Sequence, residues 1–378
     1  MKNNITKWIS TISLLFGIAV LIVLAWYFSA MTAYIVISLI IVLLCSPIKR
    51  ILRRLHFKKI RIGNSLATAL SLTLIAGILF GLFAVMFVPL SEQIKAISSL
   101  DAAQFEQFNE TLGSVDNLLK EYGVLETNES LEEIITNTAM NYIRNINIPS
   151  VFNNFFGLLG SLFLGVFSVL FISFFLLKDF ARFGRAAVNM VSSERQSKVT
   201  KILERSKTLL SNYFMGLFFE ILIITGLQYV ILILLGVPHA LLISVICGIL
   251  VIVPYIGVVI ACVLGCAIGA LSVFTAGGDM NMTLVVWKVL GTVIFCRLLD
   301  SFFLLPYIAS KSVKAHPLEI FIVVLLSGSL AGITGMMLGI PAYTVIRIVA
   351  QELFGDNNFV KTFTKSLSIA EENDKVMK

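Results

Sequence analysis

The sequence predicts an all-α integral membrane protein with six full transmembrane helices and two re-entrant helical hairpins that form an inverted repeat, together with an external amphipathic helical segment. The first observation is composition: 58% of the 378 residues are hydrophobic and 13% are charged, as in helical membrane proteins. The second is that basic residues cluster in a few loops, as membrane topology requires. The third is a pair of apolar stretches, each about 35 residues long, broken in the middle by glycine and proline.

The composition also excludes several classes of function. The net charge of +7 follows membrane topology, so we expect no nucleic acid partner. The sequence has no Ser/His/Asp set, P-loop, zinc-ligand spacing or dinucleotide fingerprint, so we expect no enzyme, no cofactor, no metal and no ATP-driven pump. The five cysteines lie inside apolar stretches, where they are expected to pack as small hydrophobic side chains.

The amino-terminal third is predicted to supply three scaffold helices. They span residues 8–28, 32–44 with an end at Pro47, and 63–88 with a stop at Pro89. The first is interpreted as a retained helix rather than a cleaved signal peptide. The loop before the third helix carries basic residues and no acidic one: Lys49, Arg50, Arg53, Arg54, Lys58, Lys59 and Arg61. Because basic loops stay in the cytoplasm, we place this loop and the amino terminus there.

Residues 90–150 are predicted to be the external segment. They contain ten acidic and three basic residues, a sharp change from the flanking helices. Their apolar residues recur at helical steps of three and four, which is typical of amphipathic helices. We expect these helices to pack on the membrane part or on a neighbouring subunit, while a self-contained external subdomain is the alternative.

A fourth helix, rich in phenylalanine, is predicted over residues 151–177 and ends at Lys178 and Asp179. Eight basic and three acidic residues then occupy residues 178–207, which predicts a second cytoplasmic loop. A polar helical pattern over residues 193–209 is expected to lead directly into the fifth helix.

The next part of the chain is predicted to be the first repeat. Its long helix, residues 209–235, contains Glu220 and Gln228, and a Gly-Val-Pro-His turn follows. The hairpin after this turn breaks at a tip made of Pro254, Tyr255, Ile256 and Gly257.

The second repeat has the same order of elements. Its long helix, residues 284–306, carries Arg297 and Asp300. Its hairpin rises from residue 317 and returns to residue 347, and its break is marked by Gly332, Thr334, Gly335 and Pro341.

These features divide the chain into scaffold helices, external segment, fourth helix with basic loop, two repeats and a cytoplasmic tail. The boundaries are 1–89, 90–150, 151–207, 208–278, 279–350 and 351–378. Both termini are expected in the cytoplasm.

Length favours re-entrant hairpins over straight helices. A stretch of about 35 residues is about 50 Å of helix, whereas the hydrocarbon core is about 30 Å thick. Single tilted spans would export Lys311 and Lys314, against the charge rule. Ten full spans keep both termini inside and remain the alternative, but arms of about 15 residues are short for crossing. Inverted repeats of a span and a broken element are typical of secondary transporters.

Several short motifs give a resemblance to a known family. They are Leu235–Pro238, Val253–Gly257, Leu305–Pro306, His316–Leu318, Gly332–Gly335 and Gly339–Pro341. Over essentially the whole chain the sequence resembles the autoinducer-2 exporter (AI-2E) family of bacterial membrane proteins. The resemblance implies a multi-pass plasma-membrane protein, a homo-oligomer of pentamer type and export of small solutes. Members are linked to autoinducer-2, to sodium or lithium–proton antiport and to sporulation, so a sporulation-linked member is one implication.

The candidate transport residues are the polar groups deep in the predicted spans. Charges near the bilayer centre normally face a cavity or a partner. Arg297 and Asp300, three residues apart on one helix, are expected to pair, and a purely structural ion pair is the alternative. Glu220 has no local partner and is the preferred carrier of a proton or cation, with Gln228 on the same helix. His239 and His316 are expected to cap or flank helix ends.

Three functions are consistent with these residues. The preferred one is a secondary transporter that exports a small polar solute, similar to autoinducer-2, or exchanges a cation such as Na⁺ for protons, with the substrate between the two hairpin tips. The others are a non-transporting structural or signalling oligomer and a channel with a shared central pore. The intramembrane charges lie in the repeats rather than in the first four helices, which favours transport within each protomer.

Overall fold

Helices dominate the protein. The computed structural model describes residue 24 and residues 27–54, 56–57, 60–61, 63–98, 148–276, 281–304 and 316–355. Most of the first predicted helix, the external segment beyond residue 98 and the carboxyl tail lie outside these residues. In chain order the elements are α1 (Ser29–Arg54), β1 (His56–Phe57), β2 (Ile60–Arg61), α2 (Asn64–Ser98), α3 (Ile148–Asn189), α4 (Ser193–Leu234), α5 (Ala240–Ile249), a 3-10 turn (Leu250–Ile252), α6 (Ile256–Ala276), α7 (Met282–Leu299), a π-helical turn (Asp300–Leu304) and α8 (Pro317–Phe354).

Length and apolarity make this a multi-pass membrane protein. Within the described residues, seven helices are long and apolar enough to cross a membrane, with mean hydropathies between 1.8 and 2.6. They are α1 to α4 and α6 to α8, and α5 is a shorter apolar helix. The two short strands pair antiparallel, His56 with Arg61 and Phe57 with Ile60, and close the loop between α1 and α2.

Two prolines do not end their helices as predicted. The expected stops at Pro47 and Pro89 are wrong, because α1 continues to Arg54 and α2 continues to Ser98. A proline inside a helix removes one backbone hydrogen bond and costs about 3 kcal/mol. Each helix continues because the residues after the proline still form their own backbone hydrogen bonds, which outweigh the single bond that is lost.

The loop between the fourth and fifth predicted helices is mostly helical. α3 runs through Lys178 to Asn189 with a break in helical geometry at Asp179 (φ −106°, ψ 19°), where the sequence predicts an end. α4 is continuous over 42 residues from Ser193 to Leu234, as the polar helical pattern before the fifth span predicts.

One compact unit comprises residues 1–76 and 155–190. Small side chains let its helices approach closely, and Gly165 of α3 faces the ring of Tyr34 in α1. The buried Ser38 hydroxyl donates to the Val169 carbonyl at 3.1 Å. At the other end of α1, Lys49 Nζ donates to the Leu177 carbonyl at 2.6 Å.

The second compact unit comprises residues 77–154 and 191–378 and contains both hairpins. In the first hairpin, α6 folds back on α5, since the Cys247 thiol donates to the Ala261 carbonyl at 3.4 Å and Gly265 faces both Cys247 and Ile243. The buried apolar core of this hairpin and its neighbours consists of Leu232, Val237, Ala240, Ile243, Cys247, Ala261, Ala270, Val273, Met282, Val285, Val289 and Val293.

α8 also folds back on itself. The backbone leaves helical geometry at Ala331 and Gly332, and Gly332 has φ 59°, a value that glycine adopts without strain. The arms on either side run antiparallel, because Gly339 faces Val323 and the Tyr343 hydroxyl donates to Glu319.

Candidate functional site

A group of buried charges lies where α4 packs against α7. Glu220 of α4 is 4% exposed, and Arg297 and Asp300 are 9% and 5% exposed. Arg297 Nη1 lies 3.4 Å from Asp300 Oδ2, which is the predicted pairing. The Glu220 carboxyl faces the Asp300 carboxyl within hydrogen-bonding reach, and Arg297 lies within electrostatic range of both. The sequence gives Glu220 no local partner, but the fold supplies one from 80 residues further along the chain.

Two facing carboxyl groups constrain their own protonation. Carboxylates only accept hydrogen bonds, so Glu220 and Asp300 can bond to each other only when one holds a proton. Like charges at this distance also disfavour ionisation of both groups. With one shared proton beside the Arg297 guanidinium, the three side chains sum to zero charge, which suits burial in a membrane span.

The helix α4 and the segment around Arg297 and Asp300 also carry polar atoms that make no hydrogen bond within the described part of the chain. They are Thr225 Oγ1, Gln228 Oε1 and Nε2, Arg297 Nε and Nη2, and Asp300 Oδ1. Gln228 is fully buried and Thr225 is 7% exposed. Buried polar groups are normally paired, so such a cluster indicates water or a ligand. Thr225 was not predicted from the sequence, although its three-residue spacing from Gln228 places both on one face of α4.

The first hairpin covers this face of α4. Gly248 of α5 approaches Thr225 so closely that a Cβ atom there would overlap the threonine side chain. Cys247 of α5 and Cys262 of α6 lie within electrostatic range of Arg297. The charge cluster therefore has α5 and α7 packed on α4 beside it, and Cys262 places α6 near Arg297.

The tip of the first hairpin lies against the second hairpin. Tyr255 has φ 63° and its ring meets that of Phe321 edge-on, with 5.1 Å between centroids. Gly257 is needed at this turn, because a side chain there would overlap the Leu250 carbonyl. Pro254 lies within the same turn.

The tip of the second hairpin is further along α8. Phe321 precedes Ala331 by ten residues, about 15 Å of helix, so the Tyr255 contact does not bring the two tips together. At the second tip Thr334 is exposed and Gly335 packs against the Ser327 carbonyl. Pro341 is buried inside the returning arm.

Arg347 is a buried charge that the sequence analysis used only to mark the end of the hairpin. It is 1% exposed, and its guanidinium lies 5.6 Å from the centroid of the Tyr343 ring. The signal available in the sequence was the four-residue spacing of Arg347 and Tyr343 on one helix face. Near the end of α8, Glu352 forms a 2.6 Å ion pair with Arg205 of α4.

The histidines are at helix ends. His316 Nδ1 accepts a 3.3 Å hydrogen bond from the Leu318 amide and caps α8, as predicted. His239 occupies the corresponding position of α5 with φ 48° and makes no capping hydrogen bond with its side chain. Within the described residues, no group of three or more His, Cys, Asp or Glu side chains is arranged to hold a metal ion.

Comparison with known proteins identifies the family. The family model described as "AI-2E family transporter" matches residues 14–355, which is most of the chain. The chain belongs to the AI-2E transporter family. The resemblance found in the sequence motifs is thereby confirmed.

Two Bacillus subtilis (strain 168) proteins are similar to this AI-2E family member. One, named "Putative transport protein YueF", is 26% identical over 215 residues, which cover 56% of each chain. The other, named "Putative transport protein YrrI", is 24% identical over 187 residues, which cover 50% of each chain. The chain thus spans about half the length of the curated relatives it matches.

The family assignment gives the charge cluster its context. The part matched by the AI-2E model includes both hairpins and the residues Glu220, Gln228, Arg297 and Asp300. The protein is therefore a membrane protein of a transporter family, and its buried polar site lies inside the part of the chain that the family model matches.

Proposed function

We propose that the protein is a secondary transporter of the bacterial plasma membrane that moves a small polar solute in a proton-coupled cycle. The observation that carries this proposal is the contact between the Glu220 and Asp300 carboxyls beside Arg297, buried between two membrane helices. Ionisable groups at such depth are costly and mark transport pathways. Membership of a transporter family supports the general class.

The coupling element in this proposal is the carboxyl pair. With one proton the cluster is neutral, and gain or loss of a proton changes its charge by one unit. Glu220 lies within electrostatic range of Tyr213 on α4, of Arg297 on α7 and of Asp300 in the π-helical turn. Arg297 in turn lies within electrostatic range of Cys247 on α5, Cys262 on α6 and Cys296 on α7. α8, which also packs on α4, brings the apolar Val324 and Ile340 against Tyr213. Proton exchange at Glu220 thus depends mainly on Asp300 and Arg297.

The hairpins are proposed to be re-entrant. The first arms are short: α5 and its 3-10 turn have 10 and 3 residues, about 20 Å in length, and the arm of α8 before Ala331 has about 14 residues, or about 21 Å. Neither crosses a hydrocarbon core of about 30 Å. The returning arm α6, with 21 residues, is about 31 Å long. Each hairpin would then turn within the bilayer and leave on the side of entry.

The two repeats are proposed to be related by inversion. Each consists of a long helix, a short arm, a break and a longer arm: α4 with α5 and α6, and α7 with the two arms of α8. Because the carboxyl pair joins α4 of one repeat to α7 of the other, the substrate site is placed between the long helices rather than between the hairpin tips. A site built from one chain favours transport within each protomer of a homo-oligomer over a shared pore.

Membrane orientation is tested by labelling. In a background without the native cysteines, single cysteines replacing Arg54 or Ser197 should react with an impermeant maleimide only after permeabilisation, and one replacing Asp279 should react in intact cells. Labelling at residue 54 in intact cells would reverse the proposed orientation. A tag inserted at Ile256 that is freely accessible from the cytoplasm would favour ten full spans.

Transport is tested in vesicles. Proteoliposomes that enclose a pH indicator should show a change in internal pH when a transported solute from a panel of small polar compounds is added. Glu220→Gln should abolish this change, because glutamine keeps the size of the side chain and cannot carry the proton. The matched control is Glu204→Gln, at an exposed position of the same helix. Solute-driven pH changes of normal size in Glu220→Gln would contradict the proposal.

A further inference from the structure

Two nitrogen atoms on one edge of the Arg297 guanidinium are buried. Its Nη1 atom faces Asp300 at 3.4 Å, a long distance for an ion pair. Its Nε and Nη2 atoms make no hydrogen bond within the described residues, although Arg297 is only 9% exposed. These two atoms point their N–H bonds to the same side, so they form one side of the guanidinium fork.

This edge has the geometry that recognises a planar oxyanion. Two parallel N–H groups of arginine bind the two oxygens of a carboxylate, with both geometric fit and charge in favour. Asp300 cannot serve both sides of the fork, and its own Oδ1 also makes no hydrogen bond within the described part of the chain. From the first hairpin, the groups in electrostatic range are the thiols of Cys247 and Cys262, which bring no formal charge. A bound anion would supply acceptors to this edge, which makes no hydrogen bond within the described residues.

α4 carries two further buried polar side chains, Thr225 and Gln228. Along the chain they lie between Glu220, which contacts Asp300, and Leu235, whose carbonyl accepts a 2.7 Å hydrogen bond from Lys288 Nζ. Their hydroxyl and amide atoms are buried and make no hydrogen bond within the described residues. They can therefore bind a hydroxyl or carbonyl group of the same solute.

We infer that the Nε/Nη2 edge of Arg297 binds the carboxylate of the transported solute, so that the substrate class is a small organic acid with a further hydroxyl or carbonyl group. This inference rests on the proposed transport function. A bound carboxylate adds one negative charge to a cluster that is neutral with a single proton. A second proton on the Glu220–Asp300 pair restores neutrality, so the acid and a proton move together and in the same direction.

Ligand binding to the purified full-length protein in detergent tests this inference directly. L-lactate, pyruvate and acetate are compared with their neutral analogues lactamide and acetamide, with sodium chloride as the control for ionic strength. We expect at least one acid to raise the unfolding temperature by about 2 °C or more at saturation, and lactate to act more strongly than acetate. Lactamide and acetamide should give no shift.

Variants test whether the acid is bound by the paired N–H donors of Arg297 or only by its positive charge. Arg297→Lys keeps the positive charge but loses the paired donors, so the acid concentration needed for the shift should rise at least tenfold. Arg205→Lys, which makes the same change at the ion pair with Glu352, should respond to acids as the parent does. If Arg297→Lys does not fold, the comparison of acids with amides on the parent protein decides the question.

The outcomes distinguish this inference from the transport proposal. Equal shifts with acids and amides, or no shift with any acid, would overturn the anion site. If neutral solutes then still drive Glu220-dependent pH changes in vesicles, the transport proposal stands without it. If acids bind through Arg297 but no solute changes the internal pH, the anion site stands and proton-coupled transport fails.

Discussion

The hydroxyl of Tyr343 donates a 2.7 Å hydrogen bond to Oε2 of Glu319 and so joins the two arms of the second hairpin. The ring of Tyr343 also lies under the guanidinium of Arg347, 5.6 Å from centroid to Cζ. One side chain thus links a carboxylate on the rising arm with a buried cation on the returning arm. Because the contact bridges 24 residues of sequence, it fixes the register of the two arms.

Removal of this hydroxyl should destabilise the protein. For Tyr343→Phe we expect a loss of about 1.5–3 kcal/mol in the free energy of unfolding, the usual contribution of a hydrogen bond to a charged group. Denaturant or thermal unfolding of the purified protein measures the loss. Tyr27→Phe, at a tyrosine that is 75% exposed, is the control. Equal stability of the two variants would show that the hairpin register does not depend on this bond.

The returning arm of the same hairpin should not tolerate a methyl group at Gly335. A Cβ atom there would overlap the backbone carbonyl of Ser327, which cannot rotate away, so Gly335→Ala should cost at least about 1–3 kcal/mol. Gly291→Ala in α7 is the matched control, since its Cβ would meet no atom within 4 Å. That change should be neutral or should stabilise by up to about 1 kcal/mol through helix propensity. A tolerated Gly335→Ala would mean that the arms are not closely packed.

Breaking the ion pair should harm folding more than removing it. Arg297→Ala leaves Asp300 buried without its cation, and the loss of one partner of a buried pair costs about 3–5 kcal/mol. The double change of Arg297 and Asp300 to leucine should recover part of that stability, because Glu220 alone can stay protonated. Yields of monodisperse protein and unfolding temperatures measure both effects. A double variant less stable than Arg297→Ala would show that the pair itself holds the helices together.

Replacement of Gln228 by an apolar residue should raise the stability of the protein and lower its transport activity. Its amide is fully buried and without hydrogen bonds in the described structure, so Gln228→Leu should raise the free energy of unfolding by about 1–2 kcal/mol. The same change should reduce solute-driven pH changes in vesicles, because the solute loses a polar contact. Gln196→Leu, which removes a 3.4 Å hydrogen bond to Val191, should gain no stability. A Gln228→Leu variant with full transport would remove Gln228 from the site.

Local chemistry made part of this structure predictable. Length and hydropathy identify the spans, and Pro254 and Gly332 mark breaks because proline and glycine restrict or free the backbone at their own positions. The same local reasoning failed at Pro47 and Pro89, because the residues after each proline extend the helix and outweigh one missing hydrogen bond.

Contacts between distant helices were harder to predict. The pairing of Arg297 with Asp300 follows from a spacing of three residues, whereas the approach of Glu220 to Asp300 depends on how α4 and α7 pack. Burial of Arg347 likewise requires the returning arm of α8 to lie against other helices. Such relations are set by tertiary structure, and no periodicity along the chain encodes them.

The helix α4 is unbroken from Ser193 to Leu234 and so connects its two ends directly. Its 42 residues measure about 63 Å, roughly twice the hydrocarbon thickness. Arg205 and Glu220 lie on this helix about 22 Å apart. Arg205 also forms the ion pair with Glu352 near the end of α8. A displacement of the end of α8 that shifts Arg205 would therefore be transmitted towards Glu220 through continuous helix, because no break in α4 separates the two residues.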